Sequence, residues 1–341
     1  MREGRPPYTT SEEEIGMKAI AQDRYGSVDV LELRDVEVPE VGADEVLVRV
    51  HAAGAGPDVW HIMTGQPYFA RLMLGLRGPK EHVRGWDVAG TVEAVGANVT
   101  TLEVGDEVMG VAPGSFAEYA VGKADKLVRK PERLSFEEAA AVPVSGCTAL
   151  QALRKAGVGP GQTVLVIGAG GGVGTLTVQI AKALGARVTG VASTDKLDLV
   201  RSIGADEIID YTREDFTDGS RRWDVIVDTA GRRPLRKLRR AMTPKGTLVI
   251  VGGDGGGRWT GGFFRGILRG PLLSLVVGQR LCGLSAKENQ ADLLALAELI
   301  EADSVTPVVD RTFDLVEAAD AIRYLEQGHP RGKVVVTVQG G

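Results

Sequence analysis

Gly161–Lys182 reads GQTVLVIGAGGGVGTLTVQIAK, and this stretch decides the fold. Thr163–Ile167 is an apolar, β-branched run that predicts a buried strand. Gly168–Gly174 follows as a glycine-rich loop, and from Val173 the apolar positions repeat with helical period up to Gly185, a residue type that commonly ends helices. A strand, a glycine-rich loop and a helix in this order provide the local context that a dinucleotide-binding fingerprint needs.

Each glycine of the loop has a physical reason to be there. Gly168 permits the tight turn out of the strand, and Gly174 lets the helix pack closely against the strand. The lack of side chains in the middle of the loop leaves room for a pyrophosphate beside backbone amides, which the helix N-terminus complements with N–H donors and a positive dipole end. We therefore expect dinucleotide contacts from Gly168, Gly170, Gly171, Gly172, Val173 and Gly174.

Downstream of the loop, strand-like and helix-like runs alternate along the chain. Such repeated βα units predict a parallel, doubly wound sheet. The predicted strands are Arg187–Ala192, Glu207–Ile209, Asp224–Asp228 and Thr247–Val251, and the predicted helices include Lys196–Ile203, Pro234–Met242 and Ala291–Ala302.

The first part of the chain has a different pattern of apolar and turn-forming residues. Residues 17–130 contain short β-branched runs such as Val46–Val50, Thr91–Val95 and Glu107–Val111, separated by glycine, proline and aspartate. This pattern is typical of a small antiparallel β domain. The tail becomes β-like again at Val308–Asp314 and Gly332–Val338, and we expect it to return to the first domain.

Composition excludes several classes of protein. The chain has 341 residues, of which 43% are hydrophobic and 25% charged, so a mainly disordered state is excluded. A net charge of −5 argues against a dedicated nucleic-acid binder. Two cysteines, Cys147 and Cys282, exclude a disulfide framework and any four-thiolate zinc site.

Targeting and membrane signals are weak. Met1–Gly16 is polar and lacks the apolar core of a signal peptide, so we interpret residues 1–16 as a flexible extension. Gly261–Leu284 is apolar, but three arginines and a proline interrupt it, whereas a membrane-spanning helix needs about 20 mostly apolar residues. We expect no membrane association and a cytoplasmic protein.

Several motifs together resemble one family. The spacing of Gly161-Gln162, Leu165, Ala169-Gly170-Gly171-Gly172, Gly174, Gln179 and Lys182 resembles the signature of the zinc-free quinone oxidoreductase (zeta-crystallin-like) branch of the medium-chain dehydrogenase/reductase superfamily. Further matches are Gly85–Gly96 (GWDVAGTVEAVG), Gly114–Tyr119 (GSFAEY), Val142–Ala149 (VPVSGCTA), Lys245–Gly252 (KGTLVIVG) and Gly328–Val335 (GHPRGKVV).

This resemblance implies an α/β protein with two domains. A GroES-like β-barrel catalytic domain is expected from residues 17–140 and 310–341. A Rossmann domain with a doubly wound parallel sheet is expected from residues 141–309.

The residues at the end of the second predicted strand indicate which nicotinamide cofactor is bound. NAD-specific sites usually place an acid there to bind the ribose 2′-OH. Here the strand continues into Ser193 and Thr194, with Lys196 as a cation for a 2′-phosphate, and similar enzymes use the position of Tyr211 around that phosphate. We therefore expect NADPH, with NADH as the alternative if Asp195 turns toward the ribose.

The resemblance places further residues around the cofactor. Thr148 matches a position near the nicotinamide in similar enzymes, and Gly231, Val251 and Gly252 follow strands whose ends line the cofactor cleft. Lys333, in the returning tail, either reaches the cofactor or caps the β domain.

A zinc site is not expected. Zinc alcohol dehydrogenases of the superfamily use a Cys, a Gly-His-Glu and a second Cys, and catalytic zinc needs three protein ligands. The corresponding positions here contain Gly56, then Gly85-Trp86-Asp87, and no thiol near Pro143. The four histidines form no close pair that would bind a metal.

Without a metal, the acceptor must already be electrophilic, and the resemblance implies hydride transfer from NADPH to a quinone or an α,β-unsaturated carbonyl. His61 is a candidate proton or hydrogen-bond donor, Tyr68 a candidate hydrogen-bond donor, and Asp58 lies near a polar position of similar enzymes. Packing within a helix or loop is the competing interpretation of His61. Gly56-Pro57 replaces the usual Asn-Pro, so the polarising residue stays open.

Two alternatives to this function stay open. One is a zinc-free NAD(P)-dependent alcohol dehydrogenase or carbonyl reductase. The other is a non-catalytic NADPH-binding protein that senses redox state or binds RNA. The basic run Arg232–Arg240 is better interpreted as a solvated amphipathic helix with Leu235 and Leu238 toward the sheet, so no nucleic acid is expected. Gly261–Leu284 is too apolar to stay exposed, which favours a homodimer.

Overall fold

The computed structural model of the chain describes residues 16–252, 270–274, 276–328 and 330–338. The β-strands in these ranges are β1 (Gly16–Ala21), β2 (Glu32–Glu37), β3 (Glu45–Ala55), β4 (Asp87–Val95), β5 (Glu107–Val111), β6 (Tyr119–Lys123), β7 (Leu127–Arg129), β8 (Thr163–Ile167), β9 (Arg187–Ala192), β10 (Glu207–Asp210), β11 (Trp223–Asp228), β12 (Met242–Ile250), β13 (Arg280–Gly283), β14 (Val309–Asp314) and β15 (Lys333–Thr337).

The α-helices in the same ranges are α1 (Pro57–Thr64), α2 (Arg71–Leu74), α3 (Phe136–Ala140), α4 (Pro143–Ala156), α5 (Gly172–Ala183), α6 (Leu197–Ser202), α7 (Leu235–Arg240), α8 (Gly270–Ser274), α9 (Gln290–Glu301) and α10 (Ala318–Glu326). No helix of the described ranges has both the length and the apolar content to cross a bilayer. The predicted extension, residues 1–16, lies outside the described residues except for Gly16.

A parallel sheet forms the second half of the chain, as predicted. Its six strands follow the order β10-β9-β8-β11-β12-β13, and every neighbouring pair is parallel. The strands are nearly continuous apolar runs because helices cover both faces of such a sheet. Leu238 of α7 is fully buried against this sheet and Leu235 packs partly, so the basic helix has the predicted orientation.

Several element ends and one strand of this sheet differ from the prediction. The strand expected over Thr247–Val251 extends over Met242–Ile250. The helix expected over Pro234–Met242 ends at Arg240, because Met242 already pairs with Trp223 in the sheet. Arg280–Gly283, which we assigned to an apolar interface segment, forms the sixth strand, with Leu281 opposite Leu248. A four-residue strand is too short for its period to identify it. Residues 261–269 and 275 of that segment lie outside the described residues.

A mainly antiparallel sheet of seven strands, in which only β14 and β15 pair in parallel, contains most of the first part of the chain together with the tail. β3 is its central strand, and it pairs with β4, β6 and β15. Val46, Val48 and Val50 alternate into its core, each at most 1% exposed. The pairing of β15 with β3 confirms that the tail returns to the first sheet.

The two sheets meet at the glycine-rich loop. Gly171 and Gly332 form an isolated bridge, and the Gly332 N–H donates to the Gly170 carbonyl at 3.0 Å. The first residue of β15, Lys333, therefore lies directly beside the loop. This junction brings residues from the first sheet, the loop and the tail into one place.

Candidate active site

The glycine-rich loop has the geometry of a phosphate cradle. Gly168 turns with a φ of 82°, and α5 begins after Gly171. A Cβ on Gly174 would overlap the Gly168 carbonyl oxygen, so only glycine lets the helix start this close to the strand. The first N–H groups of a helix have no intrahelical acceptor and point toward any anion at its N-terminus.

The space above the loop also fits a dinucleotide. A Cβ on Gly171 would meet a single atom within 4 Å, the Gly168 carbonyl oxygen at 3.6 Å. A Cβ on Gly172 would lie 3.4 Å from Ser145 Oγ and 3.5 Å from Lys333 Cδ. The missing side chains thus leave a cradle for a pyrophosphate beside a serine and a lysine, and the residues present fit a nicotinamide dinucleotide.

The carboxyl ends of the central strands bring the other predicted contacts together. Gly231 has a φ of 65°, and its N–H donates to Asp228 Oδ1 at 2.9 Å. Val251 and Gly252 both donate their N–H groups to the Asp228 carbonyl. These residues lie at the end of β11 and β12, where ligands bind in open α/β sheets. Thr148, on α4, is 9% exposed.

Lys196, the predicted 2′-phosphate cation, is bound to the tail. Its Nζ donates to the Pro330 carbonyl at 2.9 Å, and burial lowers the pKa of this amine. Its stem crosses the loop so closely that a Cβ on Gly170 would lie 2.9 Å from Lys196 Cδ. The half-buried Ser193 accepts the Lys196 N–H through its carbonyl. The ammonium therefore lies at the loop, and its present partner is a backbone carbonyl.

An aspartate that the sequence prediction did not include lies beside the other 2′-phosphate candidates. The Thr194 hydroxyl donates to Asp210 Oδ2 at 2.5 Å, and this bond with those from Thr212 lowers the pKa of Asp210. Tyr211 follows directly and is 47% exposed. The residues predicted to surround the 2′-phosphate thus include a hydroxyl that is already hydrogen-bonded to an acid.

A buried ion pair lies where the tail meets the loop. Lys333 Nζ lies 2.6 Å from Asp87 Oδ2, and the two residues are 6% and 0% exposed. Asp87 Oδ1 accepts the Val144 N–H at 2.7 Å, and Ser145 Oγ is 3.5 Å from Lys333 Nζ. Lys333 was predicted either to reach the cofactor or to cap the β domain; its amine faces the loop and Asp87.

Burial and charge set the protonation of this pair. Burial raises the pKa of the Asp87 carboxyl to about 6. The positive charge of Lys333 opposes this rise, and the negative charge of Asp58 adds to it. Burial lowers the pKa of the Lys333 amine, but the Asp87 and Asp58 carboxylates more than offset it, so the net shift is upward. The ammonium is therefore fully charged at neutral pH.

Asp58 is the predicted catalytic residue that lies closest to this pair. It stands at the start of α1, where a Cβ on the preceding Gly56 would overlap Asp58 Oδ1 and lie 3.2 Å from Lys333 Nζ. Asp58 Oδ2 is buried without a hydrogen-bond partner. A buried carboxylate oxygen without a donor is costly, which indicates that a ligand or water supplies one.

His61 and Tyr68 lie farther along the same segment. His61 follows Asp58 by one helical turn, and its Nδ1 is 2.8 Å from the Gln66 carbonyl oxygen. In the neutral ring Nδ1 is then the donor, which leaves Nε2 as an acceptor. The Tyr68 ring lies 4.7 Å from the Arg71 guanidinium, beyond the end of α1. The structure thus groups Asp58 with Lys333 and gives no contact of His61 or Tyr68 with that pair.

Sequence reasoning missed Asp87 and Ser145. Asp87 was considered only as the end of a Gly-His-Glu-like triplet, and Ser145 only as part of a junction motif. An aspartate inside the apolar run of β4 is the signal that pointed to a buried partner, because buried charges are paired.

The donor set does not fit a catalytic zinc. Gly56 has no ligand atom, Trp86 offers only an indole, and both oxygens of Asp87 are already engaged by Lys333 and Val144. Across the described residues, no three His, Cys, Asp or Glu side chains are grouped to hold a metal.

Two families match the chain. The family described as alcohol dehydrogenase GroES-like domain matches residues 42–132, and the family described as zinc-binding dehydrogenase matches residues 203–336. The second description names a metal for which the described residues hold no ligand set. The first match contains β3 to β7, and the second begins before β10 and ends within β15.

Full-length relatives narrow the assignment. The chain is 35% identical to the 2-methylene-furan-3-one reductase of Solanum lycopersicum, over 94% of this chain and 79% of that protein. It is 36% identical to the chloroplastic NADPH-dependent alkenal/one oxidoreductase of Arabidopsis thaliana, with the same coverage.

A solved structure agrees with these relatives. The quinone oxidoreductase from Coxiella burnetii is 33% identical, with a TM-score of 0.82 over 95% of this chain and 100% of that chain. The fold, the glycine-rich loop and these relatives confirm the predicted family. The chain is an oxidoreductase of the medium-chain dehydrogenase/reductase superfamily and belongs to its zinc-free quinone oxidoreductase branch.

Proposed function

We propose that the protein transfers a hydride from NADPH to a quinone or an α,β-unsaturated carbonyl without zinc. The observation that supports this most is the buried Lys333–Asp87 pair beside the glycine-rich loop, at the place where a zinc dehydrogenase would need ligands. The printed names of the relatives, which are reductases and oxidoreductases of alkenals, enones and quinones, point to the same acceptors.

The protein's part is to bind, orient and polarise. NADPH supplies the hydride when it is bound. We assign the pyrophosphate to the N–H groups of the loop and of the first turn of α5. We assign the nicotinamide half to a surface lined by Thr148, Gly231, Val251, Gly252 and the Lys333 side chain.

The acceptor develops negative charge on its oxygen as hydride arrives, and a positioned donor stabilises that charge. We propose Tyr68 as one such donor. We propose His61 as the other in its imidazolium form, in which Nε2 also carries a proton. Asp58 would hold the start of α1 against Lys333. Asp87 is a positioning residue, because it fixes the amine of Lys333 by an ion pair and touches no group of the proposed substrate.

Purified protein treated with a chelator is expected to oxidise NADPH with a quinone and with an enone at undiminished rate. The reason is that no described donor set holds a metal whose removal would matter. Activity that disappears on chelation and returns with zinc would contradict the proposal. Turnover of simple ketones alone would favour the alcohol dehydrogenase or carbonyl reductase, and tight NADPH binding with RNA binding but no turnover would favour the binding protein.

The same assay can test which residues determine the preference for NADPH over NADH. We propose that Lys196 leaves the Pro330 carbonyl for the 2′-phosphate, with Ser193, Thr194 and Tyr211 around it. Lys196→Met should then raise the KM for NADPH about tenfold or more, since a charged hydrogen bond contributes about 1.5–3 kcal/mol. The KM for NADH should not change, and Lys245→Met, an exposed lysine, should change neither. A wild-type preference for NADH would move the ribose contact to Asp195.

We further propose a cytoplasmic homodimer with domains at 17–140 plus 310–341 and at 141–309. β13 ends the strand order of the parallel sheet, and Leu272 and Val276 near it are 65% and 79% exposed. A strand at the edge of a sheet with exposed apolar neighbours is a surface that proteins usually cover. Light scattering is expected to give twice the chain mass of 36.1 kDa. A single-chain mass at micromolar concentration would contradict the dimer.

A further inference from the structure

Arg84 is a buried arginine that the proposed reaction does not use. It precedes β4 by three residues and is 2% exposed. Its backbone is bound on both sides: its N–H donates to the Ile20 carbonyl at 2.9 Å, and its carbonyl accepts the Phe116 N–H at 2.8 Å. The backbone of Arg84 is therefore held between the Ile20 and Phe116 segments, and its side chain is buried.

Two buried nitrogen atoms of the Arg84 guanidinium have no hydrogen-bond partner among the described residues. Nε and Nη2 of Arg84 are both buried without a hydrogen bond. They are the two parallel donors of one side of the fork, the pair that a carboxylate accepts bidentately. In the nearby Arg71 the same two atoms donate to the Gly65 and Thr64 carbonyls, at 3.0 and 3.1 Å.

No acid of the described residues neutralises Arg84. Asp23, which follows Gln22 in the chain, is already paired with Arg34 at 2.9 Å and with His82 at 3.2 Å. Glu81 acts on Arg84 only from a distance, and burial lowers the pKa of Arg84 to about 10, which leaves it charged at neutral pH. An unpaired charge in the interior is expensive, so the guanidinium needs a partner that the described residues do not supply.

The other unpartnered atoms cluster around the same residue. Of five buried side-chain atoms without a partner in the described ranges, four belong to Arg84, Ser115 and Gln22. Ser115 and Gln22 are both 0% exposed. Their segments are joined to the Arg84 segment by backbone bonds, and a Cβ on Gly85 would overlap Ser115 Oγ. The unpartnered atoms of these three adjacent segments are thus two guanidinium donors, a hydroxyl and an amide oxygen.

We propose that these atoms form one site, which we call the Arg84 site, and that it binds a small monocarboxylate. The Nε/Nη2 side of the fork would take its two oxygens, and the Ser115 hydroxyl would donate a third bond. Gln22 Oε1 is an acceptor, because its Nε2 already donates to the Arg24 and Met63 carbonyls, so we assign it to a bridging water. The proposal is independent of the hydride-transfer assignment.

The test is thermal unfolding of the full chain in increasing sodium formate or acetate, against sodium chloride at equal ionic strength. A ligand that binds only the folded state raises the midpoint progressively with its concentration. The wild type is expected to rise by a few degrees more in formate than in chloride. Arg84→Met, which keeps the length and removes the fork, should respond equally to both salts.

Two further variants make the result specific. Arg84→Lys keeps the charge without the paired donors, and its formate response should move to higher concentrations. Arg201→Met makes the same chemical change at an exposed arginine of α6 and should behave as the wild type. Equal responses of the wild type to formate and chloride, or a formate response that survives in Arg84→Met, would overturn the proposal.

Discussion

Gly174→Ala is expected to lower the affinity for NADPH by about ten- to a hundredfold. The new methyl group would overlap the Gly168 carbonyl oxygen and lie 2.8 Å from Ala169 Cα, both backbone atoms that cannot rotate away. Overpacking of this kind costs about 1–3 kcal/mol. The strain falls on the loop and on the first turn of α5, so the N–H groups that face the phosphates move. Fluorescence titration with NADPH measures the loss.

Gly159→Ala is the matched control for this change. A Cβ on Gly159 would meet no atom within 4 Å, and its backbone lies outside the positive-φ region. We expect unchanged affinity for NADPH and an unfolding midpoint equal to or slightly above that of the wild type. If Gly174→Ala bound NADPH as tightly as Gly159→Ala does, the loop would not be the phosphate site.

Lys333→Met is expected to destabilise the protein by about 3–5 kcal/mol, the usual cost of removing one partner of a buried ion pair. The carboxylate of Asp87 would stay fully buried, with only the Val144 N–H and the repulsion of Asp58. Asp87→Asn combined with Lys333→Met should recover much of the loss, because no charge is then stranded. Urea unfolding of the single and double variants measures the coupling.

The pH dependence distinguishes this electrostatic cause from lost packing. The raised pKa of Asp87, about 6, means that the folded protein retains a proton that the unfolded chain releases above its ordinary value near 3.8. That contribution to stability is complete below pH 3.8 and is lost as the pH rises through 6. Without Lys333 the pKa rises further, so the penalty of Lys333→Met should be larger at pH 8 than at pH 5. Equal penalties would indicate packing alone.

The parallel sheet is predictable because each of its longer strands leaves a local signature. β8 and β9 agree with the predicted ranges residue for residue, since both are rich in β-branched residues and are bounded by turn residues. β13 is missed because Arg280–Gly283 is short and belongs to a longer apolar stretch. Whether these four residues form a strand depends on their pairing with β12 and not on the local sequence.

The site is predictable only in the parts that are contiguous in the chain. Gly168–Gly174 is identified from its own spacing, whereas Asp87 and Lys333 are 246 positions apart. No feature of the sequence around either residue indicates that an aspartate in one strand pairs with a lysine at the start of another. The orphaned fork of Arg84 is equally hidden, because an arginine in sequence is normally exposed and only its burial makes it unusual.

The pairing of β15 with β3 has a consequence for how the protein is made. Ribosomes synthesise about 5–20 residues per second, and the paired residues are 279 to 285 positions apart, so β3 waits roughly 14–57 s for β15. All strands of the parallel sheet leave the ribosome before that moment. We therefore expect the nucleotide-binding half to fold during translation, while the sheet begun first is completed last, with β3 a target for chaperones in the interval.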